Sequence, residues 1–119
     1  MSAPNLATVS TITAKSVTAD LTTIGANIVS NAADSGKLFK INNVVVSNID
    51  GTNSANVTIR LSKSGAAQSI FQGISVPAAA SLILIDKNTA IYLEENDILH
   101  ILASADNDLV VMVNYEEIS

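Results

Sequence analysis

Residues 56–63 alternate without a break: Val57, Ile59 and Leu61 on one side, Asn56, Thr58, Arg60 and Ser62 on the other. A period of two places successive side chains on opposite faces, so this stretch predicts a half-buried strand with one wet face. Residues 38–49 form a second strong strand. There Phe39, Ile41, Val45 and Ile49 share one parity, and Lys40, Asn42 and Asn48 share the other with Val44 and Val46. Asp50-Gly51-Thr52-Asn53 between the two stretches reads as a hairpin turn, because Gly accepts positive φ and Asp caps turns.

The same grammar runs to the end of the chain. Ser64-Gly65-Ala66 predicts a turn, and 69–76 a strand with Ile70, Ile74 and Val76 in phase. Pro77 ends it, having no amide hydrogen to give. Residues 81–85 are continuously apolar, the pattern of a strand covered on both faces. Residues 90–119 carry three apolar runs separated by Glu94-Glu95-Asn96-Asp97 and by Asp106-Asn107-Asp108, the pattern of an antiparallel meander. Leu99, Ile101 and Ala103 share a face, with His100 on the other. In the last run Leu109, Val111, Val113 and Tyr115 share a face, and Val110 and Met112 make the opposite face apolar too.

Residues 1–25 are rich in Thr, Ser and Ala, with thinly spaced Leu6, Val9, Ile12, Val17, Leu21 and Ile24. Thr and Val disfavour helix through restricted χ1 freedom, so this part predicts an extended arm or edge strands ahead of a single domain over 26–119. Residues 26–30 predict a short strand, and 31–37 a turn. Strands of this length, about seven to nine in number and spaced about every ten residues, predict an all-β fold: an antiparallel β-sandwich, jelly-roll-like, with no long helix.

Composition sharpens this picture. Hydrophobic residues make up 48% of the 119 and charged residues only 14%, well below the usual share of about 25%. Ser, Thr and Asn must then supply much of the polar surface, which suits burial against other copies. Residues 1–87 hold six basic and four acidic residues; residues 88–119 hold seven acidic and no basic ones, giving the net charge of −5. An acidic end and scattered basic residues argue against a nucleic-acid partner. Without cysteine there are no disulfides or thiolate metal sites. No stretch reaches the length of a membrane span, and the N-terminus lacks the pattern of a signal peptide.

Little in the chain suggests catalysis. His100 is the only histidine, too few for a multi-imidazole metal site, and it sits mid-strand with no nucleophile-elbow glycines beside it. It reads as a structural or interface histidine. Glu94/Glu95 and Glu116/Glu117 are adjacent pairs, and strand neighbours point to opposite faces, so neither doublet is a catalytic pair within itself. Asp106-Asn107-Asp108, with Asp97, could offer oxygens to a hard cation but matches no calcium-loop spacing. The parity of Tyr92 and Tyr115 suggests that the two tyrosines lie near each other. No catalytic, cofactor or metal residue is assigned. The candidate interface residues are Leu82, Leu84, Val110, Met112, Tyr92 and Tyr115.

Several segments carry a resemblance. Residues 44–56 (Val-Val-Val-Ser-Asn-Ile-Asp-Gly-Thr-Asn-Ser-Ala-Asn) lead into Val57-Thr58-Ile59. Val76-Pro77-Ala78 is followed downstream by Ile91-Tyr92-Leu93-Glu94-Glu95-Asn96-Asp97, and the chain ends in Val113-Asn114-Tyr115-Glu116-Glu117-Ile118-Ser119. Together these resemble small virion structural proteins of tailed bacteriophages, particularly cyanophages and marine phages. The resemblance covers about residues 37–119. One departure is Glu95-Asn96-Asp97 where the family pattern has Glu-Gly-Asp; Asn also tolerates the left-handed conformation. The resemblance implies a non-enzymatic part of a virion, assembled in the host cytoplasm, with no cofactor. The first expectation is a capsid decoration or cement protein that binds the major capsid protein as a symmetric homo-oligomer, a trimer being favoured. A neck, tail or fibre-attachment component is the alternative within the virion. A carbohydrate-binding module for host attachment is the alternative from another class. Neither nucleic acid nor membrane is an expected partner.

Overall fold

A computed structural model describes residues 11–119, apart from the side chain of Lys87. Leu6 and Val9 of the expected N-terminal arm lie outside the described residues. Among the described residues nine strand segments follow one another: β1 (Ile12–Asp20), β2 (Ala26–Ser30), β3 (Leu38–Asn48), β4 (Ala55–Lys63), β5 (Ala66–Val76), β6 (Ser81–Ile85), β7 (Ile91–Leu93), β8 (Ile98–Ala103) and β9 (Leu109–Ile118). The only helical element among the described residues is a single 3-10 turn, Lys87–Thr89.

The strands form two antiparallel sheets. The first has the order β1-β9-β3-β6, with β7 also on β3; the second has the order β2-β8-β4-β5. β6 pairs with the C-terminal half of β3 and β7 with its N-terminal half. These two segments are therefore one strand broken in the middle. Asp86 makes the break: its Oδ1 accepts from Asn88 N at 2.9 Å, and its own amide donates to Thr89 Oγ1 at 3.1 Å. Counted so, eight strands wind between two four-stranded sheets in the jelly-roll manner. The inner faces enclose an aliphatic core that includes Ile41, Val44, Val46, Val57, Ile59, Leu99, Ile101, Val111 and Val113.

Two local expectations change in this topology. Residues 90–119 are not a meander, because β7, β8 and β9 never pair with one another; β8 crosses to the opposite sheet. The turn at 50–53 is not a hairpin but an arch from β3 in one sheet to β4 in the other. Its chemistry is as the sequence suggests: Asp50 Oδ1 accepts from Thr52 N at 2.8 Å. That bond, seconded by Asn53, holds the Asp50 carboxyl below its ordinary range. Apolar alternation reports that a strand has one buried face, but it does not report which sheet the strand joins. β4 and β5 do form a hairpin, with Ser64 and Gly65 both at positive φ. Asn96 also sits at φ 71, so asparagine does take the left-handed position in its turn.

The largest departure lies in β3. Opposite β9, Ile41 pairs with Tyr115 and Asn43 with Asn114, which leaves Asn42 as an extra residue in a bulge. The bulge reverses the parity of the rest of the strand. Val44 and Val46 are fully buried, whereas Val45 turns outward and Ile49 is 62% exposed. β5 shows the same effect: it is bulged against β4, and Ile70 lies outside while Val76 is buried.

Two buried asparagines tie the ends of the sandwich. Asn48 Nδ2 donates to Asn53 O and Val76 O, both at 3.0 Å, and its Oδ1 accepts from Asp50 N. At the other end Asn31 Nδ2 donates to Lys37 O and Leu93 O. Each satisfies one loop carbonyl and one carbonyl at a strand end.

The bulge yields a prediction that pure alternation does not. Ile41→Ala should cost about 2–5 kcal/mol in chemical denaturation, whereas Ile49→Ser should stay within about 0.5 kcal/mol. Equal losses at the two positions would contradict the reversed parity.

Candidate assembly surface

The outer face of the first sheet is built row by row from strand pairing. Thr18, Met112, Val45 and Ile83 stand side by side across β1, β9, β3 and β6. The next row is Asp20, Val110, Ser47 and Ser81, with the two serine hydroxyls 2.8 Å apart. Ile83 is 68% exposed; Val45, Val110 and Met112 are half-buried. Asp20 at the edge is the only charge in these two rows.

Polarity rises towards the other end of the face. Asn114 Nδ2 donates to Asn43 Oδ1 at 2.7 Å, and Asn42 Nδ2 donates to Glu116 Oε1 at 2.8 Å. Beyond them lies the row Ala14, Glu116, Lys40 and Tyr92. The face is thus apolar and neutral at one end and amide-rich and charged at the other.

The six candidate interface residues divide between the two sides of this sheet. Val110, Met112 and Tyr92 lie on the outer face. Leu82 and Leu84 turn inward and pack against the core, as does Tyr115, whose ring centroid is 5.6 Å from that of Phe39. The reason is pairing: Leu82 stands opposite the buried Val46 and Tyr115 opposite the buried Ile41. Ile83 takes the outer position in β6, so that strand is not covered on both faces within the single chain. Tyr92 and Tyr115 are on opposite sides of the sheet, with β3 between them, and form no shared aromatic platform. Val45, Ile83 and Ile49 escape the sequence reading. The two consecutive asparagines in β3 are the signal that could have revealed Val45 and Ile49, since asparagine is poorly suited to strand interiors and marks irregularity there; nothing comparable marks Ile83.

The remaining polar residues serve mostly as staples. Lys15 and Lys37 hold Glu117 at 2.9 and 3.0 Å, which ties the edge strand β1 and the 31–37 loop to β9. The buried Asp97 accepts from Lys63 and from Glu94 N. Asp106 Oδ1 accepts from Thr23 N at 2.8 Å, and Glu95 Oε2 from Gly36 N. No three His, Asp or Glu side chains converge on a common point among the described residues. His100 stands on the outer face of the second sheet, its Nδ1 2.8 Å from Asn27 Oδ1. Compared with known families and curated proteins, the sequence matches no family model and no curated protein at a significant level.

Lys15, and then Lys37, hold the Glu117 carboxyl below its ordinary value of 4.5. The folded state therefore prefers the carboxylate, and the stabilisation is fully present above the unfolded value. It is lost as the pH falls through 4.5 and then through the depressed folded value. Thermal melts between about pH 6 and pH 3 should show a steeper acid decline for the native chain than for Glu117→Gln. Parallel curves would remove Glu117 from the acid response.

Proposed function

We propose that this chain is a non-enzymatic structural protein of a phage particle, an assembly module that decorates the capsid as a symmetric homo-oligomer. The observation that carries the reading is the neutral apolar row Met112–Val45–Ile83 on the outer face of the first sheet. A solitary domain gains nothing by exposing Ile83 there, next to half-buried Val45 and Met112. A second copy or a capsid subunit would remove that area from water at about 25 cal/mol per Å². A stable interface needs about 800 Å² from each partner. The row offers its apolar centre; Thr18, Ser47 and Ser81 offer an uncharged rim that desolvates at low cost.

Three further features support the reading. The jelly roll is an architecture of viral shell proteins, among others. The low charge of the chain suits a protein surrounded by protein. The segments between 37 and 119 that resemble phage virion proteins point to the particle. Such a module works by avidity: each contact is modest, and repetition over a lattice makes attachment lasting. The carbohydrate-binding alternative loses the paired tyrosines that it needed.

Light scattering on the purified chain at about 100 micromolar should give the mass of an oligomer, and Ile83→Lys should shift it towards the monomer by at least about tenfold in dissociation constant. Ile83 is exposed, so the substitution leaves the core intact. A native chain that stays monomeric in this range overturns self-assembly through this face. Quantitative mass spectrometry of the parent particle then tests the station: a copy number comparable with that of the shell subunit supports decoration, and a few copies place the protein at the neck or tail.

A further inference from the structure

The outer face of the second sheet carries a different feature. Strand pairing places Asn27, His100, Arg60 and Ser69 in one row across β2, β8, β4 and β5, and puts Ile98, Ser62 and Ala67 in the row beside it. Between the rows lies a solvent-open depression of about 260 Å³, lined by Asn27, Arg60, Ser62, Ala67, Ile98 and His100.

Its chemistry is one-sided. No lining residue is acidic, in a chain whose net charge is −5. Arg60 has no ion pair, and neither Arg60 nor Ser62 has a side-chain hydrogen bond, among the described residues. His100 orders the third donor. With Nδ1 protonated it donates to Asn27 Oδ1, which occupies the amide oxygen and leaves the Asn27 Nδ2 hydrogens for a ligand. The imidazole itself is held in place. Gly25, at φ +83, approaches so closely that a Cβ there would lie 2.6 Å from His100 Nε2 and 2.9 Å from Ile101 O. A side chain at residue 25 would therefore displace the ring and with it the Asn27 amide. Ile98 and Ala67 flank Ser62 in the second row and supply the apolar part of the lining, across from Asn27 and Arg60.

We propose that this depression binds a small organic carboxylate. The Arg60 fork matches the two oxygens of a carboxylate, and such charge-assisted pairs are the stronger kind of hydrogen bond. Asn27 Nδ2 and Ser62 Oγ supply neutral donors to the same group. The hydrocarbon part of the ligand rests on Ile98 and Ala67. The volume is below that of a typical drug-sized site of about 300–1,000 Å³, so the ligand is small. The site is on the opposite sheet from the assembly surface, so occupancy and oligomerisation are separable.

Titration of the full chain with butyrate, followed by amide and imidazole chemical shifts, tests this. Butyrate should shift His100 and the Arg60 and Asn27 amides saturably, while butyramide, of the same shape but uncharged, should not. Acetate should bind more weakly, because it lacks the chain that meets Ile98. Arg60→Ala should weaken butyrate binding about tenfold or more, and Asn27→Ala by a smaller factor. Both positions are exposed, so a native-like spectrum of each variant shows that the fold is intact. Equal shifts with butyramide, or unchanged affinity in Arg60→Ala, overturn the proposal. So does a butyrate response confined to residues outside the depression.

Discussion

The one-residue bulge at Asn42 is the constraint on which the rest of the first sheet depends. β3 is the hub of that sheet, pairing with β9 on one side and with β6 and β7 on the other. With Asn42 set aside, Ile41, Val44 and Val46 all face the core. Without the bulge, Ile41 and Val45 would face inward together, and Val44 and Val46 would have to face water. One unpaired residue thus decides the composition of both faces. It sends Val45 out to meet Met112 and Ile83, so the apolar row on the surface and the close-packed interior have a common origin.

The break between β6 and β7 has a related effect. A continuous strand would have to carry the Asp86–Ala90 stretch through the ladder. Instead Asp86 and Thr89 close a capped turn, and the two flanking segments each keep their own register on β3. Buried asparagines then hold the loops at the two ends of the sandwich, Asn48 at one and Asn31 at the other. Polar residues in this chain act chiefly as fasteners, which is consistent with how few charges it carries. Arg60 and Ser62 are among the exceptions: within the described residues their side chains fasten nothing.

The two sheets therefore present unlike outer surfaces. The first is apolar and neutral at one end and amide-rich and charged at the other. The second carries a depression lined by hydrogen-bond donors and by no acidic residue. The depression and the apolar row lie on opposite sheets, so covering one leaves the other open to solvent.

The sequence by itself determined that the chain is all-β, where most strands lie, and which residues of β4 and β8 face inward, because regular strands transmit a period of two directly into burial. It also determined the turn chemistry at Asp50, at Ser64-Gly65 and at Asn96, since these are local hydrogen-bond and φ requirements. Only the tertiary structure decided the sheet to which each strand belongs, the arch at 50–53 and the inward turn of Leu82, Leu84 and Tyr115. It alone also brought Arg60, His100 and Asn27 into one row. Those outcomes depend on pairing partners distant in sequence, and on bulges that shift the period by one residue. Alternation within a single strand carries no record of either.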